Sequence, residues 1–277
     1  MAEVSAKDVM ELRKITGCGL MECKKALAAC NGEIEAAQQK MKEAGILKAE
    51  KKSSREASEG VVKVALNESK TQAVMLEVNC ETDFVGKDSN FTGFVETLAQ
   101  HALAKNIANL EDLIGSEIEP GITVESMRQA LVLKIGENIQ IRKFVNVQSG
   151  SSGSVGSYVH AGRLAAVVVL DVSDVVLGKD IAMHVAANRP KSISEADFPK
   201  QELENERTAY MAQAAESGKP PAIQEKIVDG RMRKYLAEYS LIEQPFVKDT
   251  EIKVSSLLQS KNGKVKEFHC YALGEVQ

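Results

Sequence analysis

The sequence predicts an α+β fold with three parts: a small N-terminal three-helix bundle, a duplicated α+β core of two related subdomains, and an inserted antiparallel helical hairpin. Three observations carry this prediction. Apolar residues recur at helical spacing through residues 5–45, alternate with polar residues from Gly60 onward, and alternate again after Val155. With 277 residues, 44% of them apolar, the chain can build one large hydrophobic core or two smaller ones.

Residues 1–45 are predicted to form the N-terminal bundle. Ser5 is suited to cap the first helix, Asn31-Gly32 to end the second, and Gly45 to end the third. Three short helices joined by glycine-bearing turns are typical of a bundle of the ubiquitin-associated type, which usually exposes an apolar patch to a partner. Residues 46–59 carry many charges and few apolar side chains, which predicts a linker or an exposed helix.

The first core subdomain is predicted to cover residues 60–150. It begins with a β-hairpin, because apolar and polar residues alternate from Val62 to Leu66 and again from Val74 to Cys80. The hairpin is followed by an amphipathic helix over Phe91–Ala102, a second helix over Thr123–Gly136 and a strand over Ile139–Val147.

The second core subdomain is predicted over residues 151–197 and 239–277. The motif Val85-Gly86-Lys87-Asp88 of the first half is echoed by Leu177-Gly178-Lys179-Asp180, which indicates a duplication. Leu164–Leu170 reads as a strand, Val254–Ser260 as a helix and Val265–Leu273 as the closing strand.

Residues 198–238 interrupt this second unit. They contain two helical stretches, Glu202–Ser217 and Ala222–Glu238, joined by Gly218-Lys219-Pro220-Pro221. Two helices with so short a Gly/Pro connection predict a protruding antiparallel hairpin, a short coiled coil.

Charge and hydropathy exclude several classes of protein. The net charge is −4, whereas proteins that grip phosphate backbones are usually basic, so stable nucleic-acid binding is not expected. The sequence contains no run of about 18 apolar residues, so no membrane span is expected. The first residues, MAEVSAKDVMELRK, do not resemble a secretory signal, so we expect a cytoplasmic protein.

No residue pattern predicts a metal, a cofactor or a catalytic centre. The five cysteines form no CxxC pair, and Cys18, Cys23 and Cys30 lack the spacing of a zinc site. The segment Gly150–Gly156 does not match a phosphate-binding glycine motif. We therefore expect neither a bound nucleotide nor enzymatic turnover.

Two longer motifs resemble a known family. Leu12-Arg13, Thr16-Gly17 and the segment Gly19–Leu27 (GLMECKKAL) resemble the first signature of the elongation factor Ts family, and Glu77–Val85 (EVNCETDFV) resembles its second. Further agreement lies in Lys134–Ile139, Tyr158 with His160, His184–Ala187 and Gln244–Phe246. The resemblance covers the whole chain. It implies a non-enzymatic guanine-nucleotide exchange factor that binds elongation factor Tu with GDP and disturbs the Mg²⁺ and phosphate end of its site.

The resemblance also implies roles for particular residues. Thr82, Asp83, Phe84 and Val85 would disturb the waters that hold the partner's Mg²⁺, and Phe84 would insert between two helices of the partner's GTPase domain. The residue pattern alone slightly favours a structural alternative, in which Asp83 caps a helix and Phe84 is a core residue.

The resemblance further implies that three residues of the bundle, Arg13, Leu20 and Met21, would face the partner's GTPase domain. In the second core subdomain, His160 would press near the partner's phosphate loop. Leu20 shares a predicted helix face with Cys23 and Leu27, so it could instead pack inside the bundle, and Met21 is the better candidate for exposure. A histidine without other polar residues of a site nearby is more often structural, so a structural role is the alternative for His160. The sequence departs from the family pattern at Leu20, Gly86 and Ala161.

Two other functions compete with nucleotide exchange. A ubiquitin-associated-type binding module fused to an unrelated core would leave Thr82–Val85 without a role. An enzyme using Cys80 or a histidine would turn over a small molecule in a deep polar pocket. Release of fluorescent GDP from elongation factor Tu separates the three hypotheses, while the oligomeric state and the partner of the hairpin stay open.

Overall fold

The N-terminal bundle consists of α1 (Ala6–Thr16), α2 (Leu20–Ala29) and α3 (Ile34–Lys52) in a computed structural model that describes residues 4–216, 218 and 220–275. Ser5 caps α1 as predicted, since its hydroxyl accepts the backbone N–H of Asp8 at 3.1 Å. The small core of the bundle is built from buried residues of all three helices, among them Leu12, Leu27 and Met41.

The predicted end of the third helix at Gly45 was wrong. Helix α3 continues to Lys52, so of the two alternatives for this segment residues 46–52 adopt the helix and not the linker. Gly45 is buried where α3 crosses α7 (Val124–Ile135), and a Cβ at this position would lie 3.2 Å from the carbonyl oxygen of Gln129. The glycine thus permits close helix packing, and Ala49, one turn later, is buried in the core of the first subdomain.

The first core unit contains a three-stranded antiparallel sheet with strand order β1-β2-β5. Its elements are β1 (Glu59–Leu66), β2 (Gln72–Cys80), α4 (Asp83–Gly86), α5 (Ser89–Ala104), α6 (Leu110–Gly115), β3 (Glu117–Glu119), β4 (Ile122–Thr123), α7 and β5 (Gln140–Gln148). The short elements α4, α6, β3 and β4 were not predicted, because stretches of two to six residues are too short to show a period.

The second core unit repeats this order: a hairpin, a long helix, and later a helix followed by the closing strand. Its sheet has the order β6-β7-β10, again antiparallel. Its elements are β6 (Ser154–His160), β7 (Leu164–Leu170), α8 (Val175–Asn188), α9 (Lys200–Ala215), α10 (Pro221–Tyr239), β8 (Pro245–Phe246), β9 (Asp249–Lys253), α11 (Val254–Ser260) and β10 (Val265–Ala272), with 3₁₀ turns at Glu195–Asp197 and Leu241–Glu243.

The two sheets pack face to face between two layers of helices. Met75 from the first sheet and Val155 and Val167 from the second belong to the buried cluster between the sheets. The other face of the first sheet packs on α5 and α7, and the other face of the second packs on α8 and α11. The central strands β2 and β7 are therefore covered by apolar surface on both sides, which explains the nearly continuous apolar sequence of β7.

Glycines of the echoed motif allow a helix to approach the sheet closely in both units. A Cβ on Gly156 of β6 would lie 2.0 Å from the carbonyl carbon of Gly178 in α8. In the first unit, a Cβ on Gly86 would lie 3.3 Å from the carbonyl oxygen of Gly60 in β1. The motif VGKD/LGKD thus lies at the same place in both units, against the first strand of the sheet.

Helices α9 and α10 form the predicted hairpin, within one or two residues of the predicted bounds. Its two ends meet at the core, where Lys191 donates its backbone N–H to Tyr239 and Ser192 bridges to Ser240. Of the predicted connection, Lys219 lies outside the described residues, as does Ser217 at the predicted helix end. No helix among residues 4–216, 218 and 220–275 is long and apolar enough to cross a membrane.

Candidate functional site

The most exposed large apolar side chain among the described residues stands on a corner of the first core unit. Strand β2 ends at Cys80, and the chain turns through Glu81 and Thr82 into the four-residue helix α4. Phe84, the second residue of α4, is 81% exposed. Because a phenylalanine with this exposure contributes little to folding, its position points to a contact with another molecule.

The structural alternative for this corner was wrong. Thr82 is the N-cap of α4, since its hydroxyl accepts the backbone N–H of Val85 at 3.4 Å. Asp83 instead forms an exposed ion pair with Lys87, at 2.7 Å between Oδ2 and Nζ, and this hydrogen bond lowers the pKa of Asp83. Val85 alone turns inward and packs against the core of the first unit.

A residue without a predicted role, Glu137, holds the base of this corner. Its Oε2 accepts the backbone N–H groups of Glu81 and Thr82, both at 3.0 Å, and its Oε1 accepts the Thr82 hydroxyl at 2.7 Å. In return, Glu81 Oε1 accepts the backbone N–H of Asn138 at 2.6 Å. The motif Lys134–Ile139 supported the family resemblance, but it is 56 residues from Glu81 and its contact with the corner could not be read from spacing.

Cys80 lies buried directly below the corner. Its thiol donates to the carbonyl oxygen of Thr82 at 3.1 Å, and burial raises the pKa of Cys80 to about 12. A thiol with so high a pKa is a poor nucleophile at neutral pH, which argues against an enzyme built on Cys80. Across the described part of the chain, no three His, Cys, Asp or Glu side chains are placed to hold a metal ion.

The turn between β6 and β7 carries His160 and lies at the same end of the sandwich as Phe84. Ala161 and Gly162 both have positive φ, 51° and 67°, as a tight hairpin turn requires. Arg163 pairs with Glu59 at 2.7 Å, and this contact raises the pKa of the arginine. Glu59 in turn is opposite Cys80 in the strand register, so the turn lies next to the end of β2.

His160 itself is exposed. Its ring stacks on Tyr158, with centroids 6.4 Å apart, and the tyrosine hydroxyl lies 3.4 Å from Nδ1. The ring face and the Nδ1 edge of the imidazole are therefore oriented by a neighbour that is two residues earlier on the same strand. Two other histidines have hydrogen-bond partners within the fold: His184 is buried against Gln244 at 2.8 Å, and half-buried His101 lies 2.9 Å from the hydroxyl of Ser116.

The bundle exposes apolar side chains near Arg13, which is itself exposed. Met21 is 62% exposed, as expected. Leu20 is 46% exposed, so the alternative in which it packs inside the bundle with Cys23 and Leu27 was wrong. It is the first residue of α2, and the buried part of this helix begins only at Cys23.

Contacts link the bundle to the corner. A Cβ on Gly17, in the turn between α1 and α2, would lie 2.9 Å from Lys134 Nζ. Lys134 donates to Asn90 Oδ1 at 2.6 Å, and Asn90 lies at the start of α5, directly after the α4 corner. The structure therefore brings the Phe84 corner close to the His160 turn on one side and to the α1–α2 turn on the other.

Comparison with known proteins gives the family. The protein-family model described as Elongation factor TS matches residues 81–275 of this sequence, which include the corner, Glu137 and the His160 turn. The chain belongs to the elongation factor Ts family. It is 47% identical over 272 residues to elongation factor Ts of Thioalkalivibrio sulfidiphilus, covering 98% of this chain and 92% of the relative.

Other members of the elongation factor Ts family give the same result. Identity to elongation factor Ts of Legionella pneumophila strain Paris is 47% over 275 residues, or 99% of this chain and 94% of the relative. Identity to that of Halorhodospira halophila is 44% over 272 residues, or 98% and 92%. The family resemblance predicted from the two signatures is confirmed. The elongation factor Ts family implies nucleotide exchange on elongation factor Tu rather than catalysis of a covalent reaction.

Proposed function

We propose that this chain is a cytoplasmic guanine-nucleotide exchange factor that binds elongation factor Tu in its GDP-bound form and promotes replacement of GDP by GTP. The observation that carries the proposal is the exposed Phe84 on a corner fixed by hydrogen bonds. An exchange factor needs no nucleophile. It must bind the nucleotide-free GTPase more tightly than the GDP-bound GTPase, and linkage then requires that GDP bind more weakly by the same factor.

The corner Thr82–Val85 is suited to the partner's Mg²⁺ and phosphate end. Phe84 offers an apolar side chain that is four-fifths exposed, and Asp83 beside it offers a carboxylate whose pKa the hydrogen bond from Lys87 holds below its ordinary value. Inserted together, a wedge and a negative charge would separate two partner elements and compete for the coordination of Mg²⁺.

The remaining predicted contacts would fix the orientation of the complex. His160 would approach the partner's phosphate loop, while Arg13, Leu20 and Met21 would contact the GTPase domain through the bundle. In this proposal the chain consists of the bundle, the two core subdomains and the inserted hairpin, with the bundle packed on α7 and the two sheets packed on each other. Stable nucleic-acid binding is not part of its function. No cofactor of its own takes part.

The test is release of fluorescent GDP from elongation factor Tu after mixing with excess unlabelled GDP, with and without this protein. We expect a rate that rises with the concentration of the protein and saturates. An unchanged release rate would refute the proposed function.

A second measurement addresses the Mg²⁺ step alone. Chelation of Mg²⁺ should speed spontaneous release and reduce the acceleration that this protein adds, because the ion it displaces is already gone. If this protein accelerates GDP release equally with and without Mg²⁺, the proposed exchange activity stands, but the proposed action of Thr82–Val85 on the metal is refuted.

A further inference from the structure

We infer that Glu137 is a positioning residue of the exchange surface, whose carboxylate fixes the corner backbone so that Phe84 projects in one orientation before the partner arrives. The inference rests on the proposed function of the corner. It concerns a residue that touches the corner through hydrogen bonds but is 55 residues away from Thr82 in the sequence.

The contacts place three donors on one carboxylate. The N–H groups of Glu81 and Thr82 lie beyond the β1–β2 ladder and before the first turn of α4, so neither element supplies an acceptor for them. Both donate to Glu137 Oε2 at 3.0 Å, and the Thr82 hydroxyl donates to Oε1 at 2.7 Å. Hydrogen bonds to an ionised acceptor are the strong ones, so Glu137 determines the path of the backbone here.

The Phe84 side chain cannot determine its own position. It is 81% exposed and therefore packs against little of the protein. Its direction depends on the backbone that leads into α4, and Glu137 holds this backbone at Glu81 and Thr82. A corner that is ordered in advance avoids losing backbone entropy when the partner binds, which improves affinity and rate without any new contact.

The second core unit has no carboxylate at the position equivalent to Glu137, so it shows which hydrogen bond the fold itself requires. There Asp171 follows the end of β7 and its Oδ1 accepts the N–H of Lys264 at 2.6 Å, as Glu81 accepts that of Asn138 at 2.6 Å. The position equivalent to Glu137 is Gly263, where a Cβ would lie 2.9 Å from Val172. The hydrogen bond from the closing segment to Asp171 or Glu81 is thus present in both units. Of the two equivalent positions, only the one at the corner with Phe84 carries a carboxylate, that of Glu137.

A double-mutant cycle on GDP release tests the inference. The four proteins are the wild type, E137Q, F84A and the double variant. The glutamine keeps the shape but has one oxygen acceptor, so we expect E137Q to slow stimulated release about tenfold. In the F84A background, E137Q should slow stimulated GDP release less than about twofold, because no phenylalanine side chain remains to be positioned.

The outcomes discriminate between a positioning and a general role. Equal factors for E137Q with and without Phe84 would overturn the inference, since a loss of overall stability would act in both backgrounds. The control E119Q, at an exposed carboxylate of β3, should leave release unchanged. If E137Q fails to fold, T82A replaces it in the cycle, because it removes the hydroxyl that donates to Glu137 and is expected to show the same dependence on Phe84.

Hydrogen exchange separates failure of this inference from failure of the proposed function. The amides of Glu81 and Thr82 should be protected in the wild type and lose that protection in E137Q, whether or not the protein acts on elongation factor Tu. Unprotected amides in the wild type would overturn the role of Glu137. Protected amides together with normal exchange by F84A would instead overturn the wedge.

Discussion

Replacement of Phe84 by alanine should separate exchange activity from folding more cleanly than any other single change. Full burial of a phenylalanine is worth about 1.5–3 kcal/mol. Since the side chain is 81% exposed, about four-fifths of that remains to be gained at an interface, roughly 1.2–2.4 kcal/mol. This corresponds to about an 8- to 60-fold loss in binding or in stimulated GDP release.

The same exposure limits the cost to stability. Only the buried fifth of the side chain contributes to folding, so F84A should lower the free energy of unfolding by roughly 0.3–0.6 kcal/mol, whereas a core phenylalanine would cost about 3–5 kcal/mol. For a chain of this size, the expected shift in Tm is below about 2 °C. Melting and release of fluorescent GDP are measured on the same preparation.

The matched control is V176A, at an apolar residue that is 71% exposed in the first turn of α8. Helix α8 follows the end of β7 that is opposite to the His160 turn, so its start lies at the far end of the sandwich. V176A should melt and exchange normally. If F84A melts early and exchanges normally per folded molecule, or if V176A slows release as much, the reasoning is refuted.

Three further predictions concern the scaffold. G45L should lower the free energy of unfolding by about 1–3 kcal/mol in urea titrations, because its side chain would meet the carbonyl of Gln129, whereas G93A, with open space around it, should be neutral or stabilising. Burial lowers the pKa of His184, so the unfolded chain binds the proton first; stability should be full above about pH 6.5 and fall as the pH drops towards 5, and H184Q should flatten this slope. Replacement of residues 200–238 by a short Gly/Ser turn should preserve most GDP release, since the ends of the hairpin already meet; a folded but inactive product would give the hairpin a direct role.

The strands and long helices could be predicted from periodicity because their neighbours cover one or both faces uniformly. The predicted strand Leu164–Leu170 and the predicted helix Val254–Ser260 have the observed bounds. Gly45 shows where this reasoning fails. A glycine after a helical stretch is the usual sign of a helix end, but it is also what two helices need in order to cross closely, and only the position of α7 distinguishes the two cases.

The same limit applies to the candidate site. The residues Thr82–Val85 could be named from a family motif, but the exposure of Phe84 depends on the absence of a covering element, which no local pattern encodes. Glu137 is separated from Thr82 by 55 residues, so its contact depends on the register of β5 beside β2. Leu20 illustrates the opposite error, because it fits the apolar face of its helix and yet lies before the point where the bundle covers that face.

The arrangement of the two core units explains how a corner and a turn from distant parts of the sequence can act at one end of the molecule. Gly162 accepts the backbone N–H of Val62 at 2.7 Å, and Leu273 donates its N–H to Arg163 at 2.8 Å, so the His160 turn is held by the first sheet and by the last strand of the second. The buried carboxylate of Glu77 accepts the N–H of Gly274 at 2.8 Å and ties that last strand to β2, the strand that leads into the corner. The separation between Phe84 and His160 is therefore set by the packed sheets and not by flexible loops. A partner that contacts both must adapt to this fixed separation, and the strain would fall on the GTPase, which is the requirement for lowering its affinity for GDP.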